Sequence, residues 1–122
     1  MTLPPLTFAA PPLLDFAAAD EHDAIRRTAE LLAIDSGISN FGGFVDAVFE
    51  RQRINPPLLG NGVALPHART VLTRDIVCVV TRCAKPVPFG PEATPVQLIF
   101  LLGVPPHRID EYLDLKAVFV QL

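Results

Sequence analysis

The stretch Gly60-Asn61-Gly62-Val63-Ala64-Leu65-Pro66-His67-Ala68-Arg69 joins a glycine turn to a short apolar run and a Pro-His pair. Gly60 and Gly62 allow a positive φ or a close approach of the backbone to a ligand. Pro66 has a fixed φ and no N–H, so at the end of a strand it interrupts regular pairing just before His67. Because α/β folds usually bind ligands where strands end, this pattern makes His67 a candidate functional residue.

Two nearly unbroken apolar runs follow this stretch and predict strands that are buried on both faces. They cover residues 76–80 and 96–102 and are rich in β-branched side chains. Residues 85–95, between them, contain several prolines and are predicted to form a loop. A further short strand is predicted at residues 13–16.

Three helices are predicted around these strands. Asp20 can cap the first, Ser39 or Asn40 can cap the second, and the third follows Pro105-Pro106. Pro56-Pro57 ends the second helix. Their apolar positions recur at helical spacing: Ile25, Thr28, Ala29 and Leu32; Phe41, Phe44, Val45 and Val48; and Ile109, Tyr112, Leu113 and Phe119. Helices that alternate with buried strands predict a layered α/β domain.

Length, composition and charge narrow the classes of function. The 122 residues suit one domain, predicted at 13–122 after an extended lead-in at 1–12. A net charge of −3 argues against a nucleic-acid partner and favours a basic protein partner. No targeting signal is visible and no apolar run is long enough to span a bilayer, so we expect a cytoplasmic protein without membrane insertion.

The remaining histidines and the cysteines carry weaker signals. His22 and His107 lie near predicted helix starts and are expected at the surface. No pair of histidines has metal-ligand spacing, so no metal site is predicted. Cys78 and Cys83 are five residues apart in a predicted strand, which places them on opposite faces as buried free thiols.

His67 and nearby cationic side chains together suit phosphoryl transfer. Imidazole is a competent nucleophile near neutral pH because much of it is unprotonated. Transfer of a phosphoryl group mainly requires positioning and positive charge, which Arg51 and Arg69 can supply. Backbone N–H groups of the glycine turn at Asn61 and Gly62 can bind phosphate oxygens. A structural or surface role for His67, and solvated side chains at both arginines, remain the alternatives.

The ten residues from Gly60 to Arg69 resemble the signature of type 2 IIA domains of the phosphotransferase system, the mannitol, fructose and nitrogen-regulatory group. Further similarity lies in Phe49-Glu50-Arg51, in residues 85–89, and in the strand at 96–104 before Pro105. The resemblance covers about residue 13 to the end of the chain. It implies a mixed β-sheet flanked by helices.

The resemblance also implies roles for individual residues. His67 would accept a phosphoryl group from an HPr-like protein, and Arg51 would stabilise it. Asn61, Gly62, Arg69 and Tyr112 would line the phosphate site, without metal or organic cofactor. The group would then pass to a IIB domain or signal to a regulatory target protein. The alternatives are a IIA-like regulatory binding protein that is never phosphorylated and, less favoured, an ordinary small-molecule binder. A homo-oligomer is compatible with each of these functions.

Three features depart from the family pattern. Pro56-Pro57-Leu58 stands where the family often has Ser-Thr-Gly, which removes hydroxyl groups. Tyr112 aligns with a second active-site histidine of the family, while His107 lies five residues earlier and is the other candidate for that role. The chain also ends before a further helix that family domains carry, so a truncated C-terminus is expected.

Overall fold

The computed structural model describes residues 7–8, 10–32, 38–54 and 58–119. Its helices are α1 (Glu21–Ala29), α2 (Phe41–Ile54) and α3 (Ile109–Phe119), with single 3-10 turns at Glu30–Leu32 and Pro106–Arg108. Its strands are β1 (Thr7–Phe8), β2 (Leu13–Phe16), β3 (Leu58–Gly60), β4 (Val63–Ala64), β5 (His67–Arg69), β6 (Val77–Phe89) and β7 (Thr94–Val104). No helix of these described segments is long and apolar enough to cross a membrane.

The seven strands form one mixed sheet built on the long β6–β7 hairpin. β1 and β2 both pair in parallel with the outer edge of β6. On the other side, β4 and β5 both pair in parallel with β7, and β3 adds an antiparallel edge to β4. Pairing along β7 is interrupted between β4 and β5, at Leu65-Pro66, as the missing N–H of proline predicts.

Helices cover both faces of this sheet, so the predicted mixed sheet flanked by helices is confirmed. α1 and α2 pack on one face, where the larger core includes Ile25, Phe44, Val79 and Leu101. α3 packs on the other face, where Tyr112 and Leu115 join Leu65, Ile76, Cys78, Leu102 and Val104. Alternate residues of β6 and β7 therefore enter different cores, which explains why both strands read as continuous apolar runs.

The predicted caps and apolar stripes are largely confirmed. Asp20 Oδ1 accepts a hydrogen bond of 2.8 Å from the Asp23 N–H, and Asn40 Oδ1 accepts one of 3.1 Å from the Gly43 N–H. The four positions predicted to be buried in the first helix are Ile25, Thr28, Ala29 and Leu32. All four are fully buried, and Leu32 lies in the 3-10 turn that follows α1. Cys78 and Cys83 are buried free thiols in opposite cores, also as predicted.

α2 approaches the sheet closely because one position of β7 has no side chain. A Cβ atom at Gly103 would lie 2.9 Å from Phe44 Cε2 and 3.0 Å from Thr73 Cγ2. Such distances are shorter than van der Waals contact, so any larger residue would push the helix away. Phe44 is itself completely buried at this point. The pair Phe44–Gly103 therefore sets how near α2 lies to β5 and β7.

Two structural expectations were wrong. The predicted loop at 85–95 is mostly strand, because β6 continues to Phe89 and only a short turn at 90–93 precedes β7. Pro88 lies directly opposite Pro95, so neither proline removes a donor that its partner requires. Leu113, predicted on the buried side of α3, is 53% exposed, and Leu115 is buried instead. The side chain of Phe119 lies outside the described residues.

The N-terminal segment contributes to the sheet as well. Thr7 pairs with Val77 and Phe8 with Cys78, within the stretch that the sequence predicted only as an extended lead-in. A two-residue edge strand carries no periodicity, so its pairing partner cannot be read from sequence. Pro56-Pro57, which was predicted to end the second helix, lies outside the described residues.

Candidate functional site

His67 is the first residue of β5 and lies under α3. Its side chain is only 8% exposed, and its Nδ1 lies 3.0 Å from the carbonyl oxygen of Leu65. A carbonyl oxygen can only accept, so Nδ1 carries the hydrogen in this arrangement. In the neutral ring, Nε2 is then the unprotonated nitrogen and the nucleophilic one. The interruption at Leu65-Pro66 turns this carbonyl toward the imidazole instead of a neighbouring strand.

Tyr112 on α3 is an aromatic neighbour of His67. The two ring centroids are 4.9 Å apart, and the tyrosine hydroxyl lies 3.3 Å from both imidazole nitrogens. One oxygen atom at equal distances cannot lie along both nitrogen directions, so neither contact is a well-aligned hydrogen bond. Burial raises the pKa of the Tyr112 hydroxyl, and Arg51 and Arg69 oppose that shift. Tyr112 is therefore a neutral donor beside the imidazole.

A cavity of about 530 Å³ opens beside His67 and Tyr112. Arg51 reaches it from α2, and Arg69 reaches it from β5, two residues after His67 and thus on the same side of the strand. Lys116, on α3, is the third cationic side chain in the lining. The remaining lining residues are Ala47, Glu50, Val104, Ile109 and Leu113. The site is thus a cationic cavity with an apolar wall.

Burial and positive charge favour the neutral form of the His67 imidazole. Desolvation is the main reason that the pKa of His67 falls below its ordinary value of 6.5. The hydrogen bond with Leu65 opposes this, while Arg51, Lys116 and Arg69 lower the pKa further. A neutral imidazole with a fixed tautomer is the form that can attack an electrophile.

We expect stability to fall with acidification below about pH 6.5 because of His67. The folded protein binds this proton less readily than the unfolded chain. Above about pH 6.5 His67 therefore does not reduce the free energy of unfolding. The reduction is complete below the lowered pKa of the folded state. Urea unfolding between about pH 8 and pH 5 measures this loss of stability. The variant His67→Gln keeps every carboxylate, so the difference between wild type and variant removes their contribution to the pH dependence. A wild-type minus variant difference that is independent of pH would contradict a lowered pKa.

Asn61 and Gly62 do not line this cavity, contrary to expectation. They form the turn between β3 and β4, and the Gly62 carbonyl accepts hydrogen bonds from Gln97 and Leu98 at the start of β7. His67 pairs with Leu102, about 15 Å farther along the same strand. The φ angles of 54° at Asn61 and 78° at Gly62 show that the turn requires these residues for its backbone. Their role in this structure is to connect strands.

Tyr112 and His107 were the two candidates for the place of the family's second active-site histidine, and Tyr112 is the one that lies beside His67. His107 is exposed in the 3-10 turn and lines a different cavity with Ser39, Leu72 and Thr73. His22 is exposed and stacks on Phe49, with ring centroids 4.3 Å apart. Among the described residues, no group of three His, Cys, Asp or Glu side chains converges closely enough to hold a metal ion.

The sequence analysis did not identify Lys116 or Glu50 as lining residues. A signal for Lys116 was available, since it follows Tyr112 by four residues and must share its face of a helix. Glu50 precedes the candidate Arg51, and its carboxylate pairs with Arg53 on the same helix. Which of these charges would face His67 depended on how α2 and α3 pack on the sheet.

Comparisons with known proteins agree with this fold. The family model described as "Phosphoenolpyruvate-dependent sugar phosphotransferase system, EIIA 2" matches residues 13–119. The 2-O-alpha-mannosyl-D-glycerate-specific EIIABC component of Escherichia coli is 31% identical over 88% of this chain, which spans only 17% of that protein's length.

Solved structures of similar proteins share the fold. The nitrogen regulatory protein IIA-Ntr from Neisseria meningitidis superposes with a TM-score of 0.81 at 26% identity, covering 95% of this chain and 79% of that one. The mannitol IIA enzyme of Escherichia coli, solved in complex with phosphorylated mannitol IIB, gives a TM-score of 0.71 at 22% identity. That match covers 84% of this chain and 73% of the other.

Proposed function

Because the chain belongs to the EIIA 2 family of the phosphoenolpyruvate-dependent sugar phosphotransferase system, we propose that His67 is its phosphoryl-carrying residue. The observation that carries this proposal is the buried imidazole at a cavity lined by three cationic side chains. The phosphoryl donor is an HPr-like protein phosphorylated on histidine. The acceptor is a IIB domain or a regulatory target protein.

The proposed step uses Nε2 of His67 as the nucleophile. Its lone pair forms a bond to the phosphorus of the donor as the phosphorus–nitrogen bond of the donor breaks, and the donor imidazole keeps that electron pair. The hydrogen stays on Nδ1, which lies 3.0 Å from the Leu65 carbonyl oxygen, and this oxygen stabilises positive charge that develops on the ring. No proton has to move between residues during the transfer.

Arg51 and Arg69 stabilise the transferred group in this proposal. The transition state of phosphoryl transfer is loose, with negative charge spread over three oxygens, so that positioning and cations supply most of the catalysis. Arg51 and Arg69 offer planar guanidinium groups that suit phosphate oxygens. Tyr112 adds a neutral hydroxyl donor beside the imidazole.

The choice between sugar transport and nitrogen regulation concerns the acceptor. One relative is a sugar-specific EIIABC component, whereas the IIA-Ntr structure belongs to a nitrogen regulatory protein. Transfer from phosphorylated protein to an isolated IIB domain would identify a transport role. Stable phosphorylation read by a regulatory target would identify signalling. The cytoplasmic location expected from the sequence stays a prediction.

The proposal is tested by incubating the protein with enzyme I, an HPr-like protein and phosphoenolpyruvate. We expect the intact mass to rise by one phosphoryl group that is lost on acid treatment, and nitrogen-resolved NMR to place it on Nε2 of His67. Omission of the HPr-like protein is the control. If folded protein gains no phosphoryl group from any HPr-like donor tried, the regulatory binding protein without phosphorylation is the better description.

A further inference from the structure

Lys116 stands in the wall of the His67 cavity without a role in the activity described so far. It follows Tyr112 by four residues on α3, so the two side chains lie one helical turn apart on the same face. Tyr112 is already within 3.3 Å of the imidazole nitrogens. The flexible stem of a lysine can span the remaining distance to a group bound on Nε2.

The charge balance of the cavity depends on this lysine. Three cationic and one anionic side chain line the cavity, which gives a formal charge of +2. A phosphoryl group carries about −2 near neutral pH. Without Lys116, the lining would carry only +1. The carboxylate, Glu50, forms a salt bridge with Arg53 on the same helix.

The three cations also come from three different elements. Arg51 lies on α2, Arg69 on β5 and Lys116 on α3, so together they approach the cavity from separate directions. Among the described residues, no carboxylate forms a salt bridge with Lys116. The hydroxyl of Tyr112 is neutral, so it does not balance the negative charge of the phosphoryl group. Lys116, one helical turn away, supplies a positive charge that does.

We propose that Lys116 is a phosphate-binding residue of this site and that it neutralises, with Arg51 and Arg69, the phosphoryl group on His67. This inference rests on the proposed function of His67. It assigns to α3 two contributions, a hydroxyl donor at Tyr112 and a mobile positive charge at Lys116. The lysine acts on the phosphoryl group itself and requires no partner protein.

The test compares Lys116→Met, Lys116→Arg and Lys85→Met. Lys85 is the other lysine of the chain and lies exposed on β6, so its variant is the matched control. Phosphoramidate, a small phosphoryl donor, replaces the HPr-like protein so that protein docking cannot affect the rate. We expect Lys116→Met to lower the rate of His67 phosphorylation about tenfold to a hundredfold, with Lys116→Arg and Lys85→Met near wild type.

Binding of inorganic phosphate to the unphosphorylated protein gives a second readout. We expect added phosphate to shift the imidazole NMR signals of His67 in wild type and in Lys85→Met. In Lys116→Met, the phosphate affinity obtained from these shifts should be at least tenfold lower. The pKa of His67 should also rise in Lys116→Met, since a positive charge is removed.

These readouts separate the two proposals. Equal rates and equal phosphate affinities for wild type and Lys116→Met would overturn the role of Lys116 alone. A defect seen with an HPr-like donor but not with phosphoramidate would also overturn it, because the lysine would then serve docking. Phosphate binding that depends on Lys116, in a protein that no donor phosphorylates, would uphold the anion site and overturn the carrier function.

Discussion

Replacing His67 with glutamine is expected to abolish phosphoryl uptake completely while leaving the fold intact. Glutamine retains an amide group that can contact the Leu65 carbonyl, 3.0 Å from Nδ1 in the native protein. It has no basic nitrogen, so it cannot form the phosphorus–nitrogen bond. Intact mass after incubation with enzyme I, an HPr-like protein and phosphoenolpyruvate measures the loss, and urea unfolding at neutral pH checks the fold.

The other two histidines provide matched controls for this result. His22 stacks on Phe49 and His107 lies in an exposed turn at a different cavity, so His22→Gln and His107→Gln should accept the phosphoryl group normally. Phosphorylation that persists in His67→Gln and disappears in either control would show that another histidine carries the group. The burial and charge around His67 would then have a structural purpose only.

Replacing Phe44 with alanine is expected to have the largest effect on stability. Phe44 is completely buried between α2 and the sheet, where its ring faces Gly103. Truncation of a fully buried phenylalanine costs about 3–5 kcal/mol in free energy of unfolding. That cost is a large part of the about 5–15 kcal/mol that stabilises an ordinary domain. Chemical unfolding at low temperature measures it while the variant is still folded.

The same substitution should also weaken phosphoryl transfer. Arg51 follows Phe44 by seven residues on α2, two helical turns along the same face, so a shift of the helix displaces the arginine from the cavity. Phe41→Ala, at a partly buried position of the same helix, is the control and should lose clearly less stability and little transfer. Equal losses in the two variants would contradict the importance of the Phe44–Gly103 contact.

Much of the fold was predictable because the relevant signals are local. Asp20 and Asn40 cap helices through contacts within three residues. The apolar runs of β6 and β7 predicted strands buried on both faces, and α1 and α3 do cover opposite faces. The loop at 85–95 was mispredicted because proline is unfavourable in most strands. Here Pro88 is tolerated because it lies opposite Pro95, and Pro86 lies where the register shifts between Arg82 and Val87.

The candidate site was predictable in part for a related reason. His67, Arg69 and the interrupting Pro66 lie within four residues, so their arrangement follows from the local chain. Asn61 and Gly62 belong to the same signature, yet an extended segment carries them about 15 Å along β7. Neighbours in sequence were thus mistaken for neighbours at the site.

By itself, the sequence determined the family, the three helices, the presence of strands β2, β6 and β7, and the choice of His67 as the candidate histidine. Those properties depend on residue type and short-range spacing. Only the tertiary structure decided that Lys116 joins Arg51 and Tyr112 at the His67 cavity, because these residues lie on two separate helices that pack on opposite faces of the sheet. The absence of a side chain at Gly103 sets the approach of α2, while the burial of Tyr112 and Leu115 sets that of α3. Such long-range packing has no counterpart in local sequence periodicity.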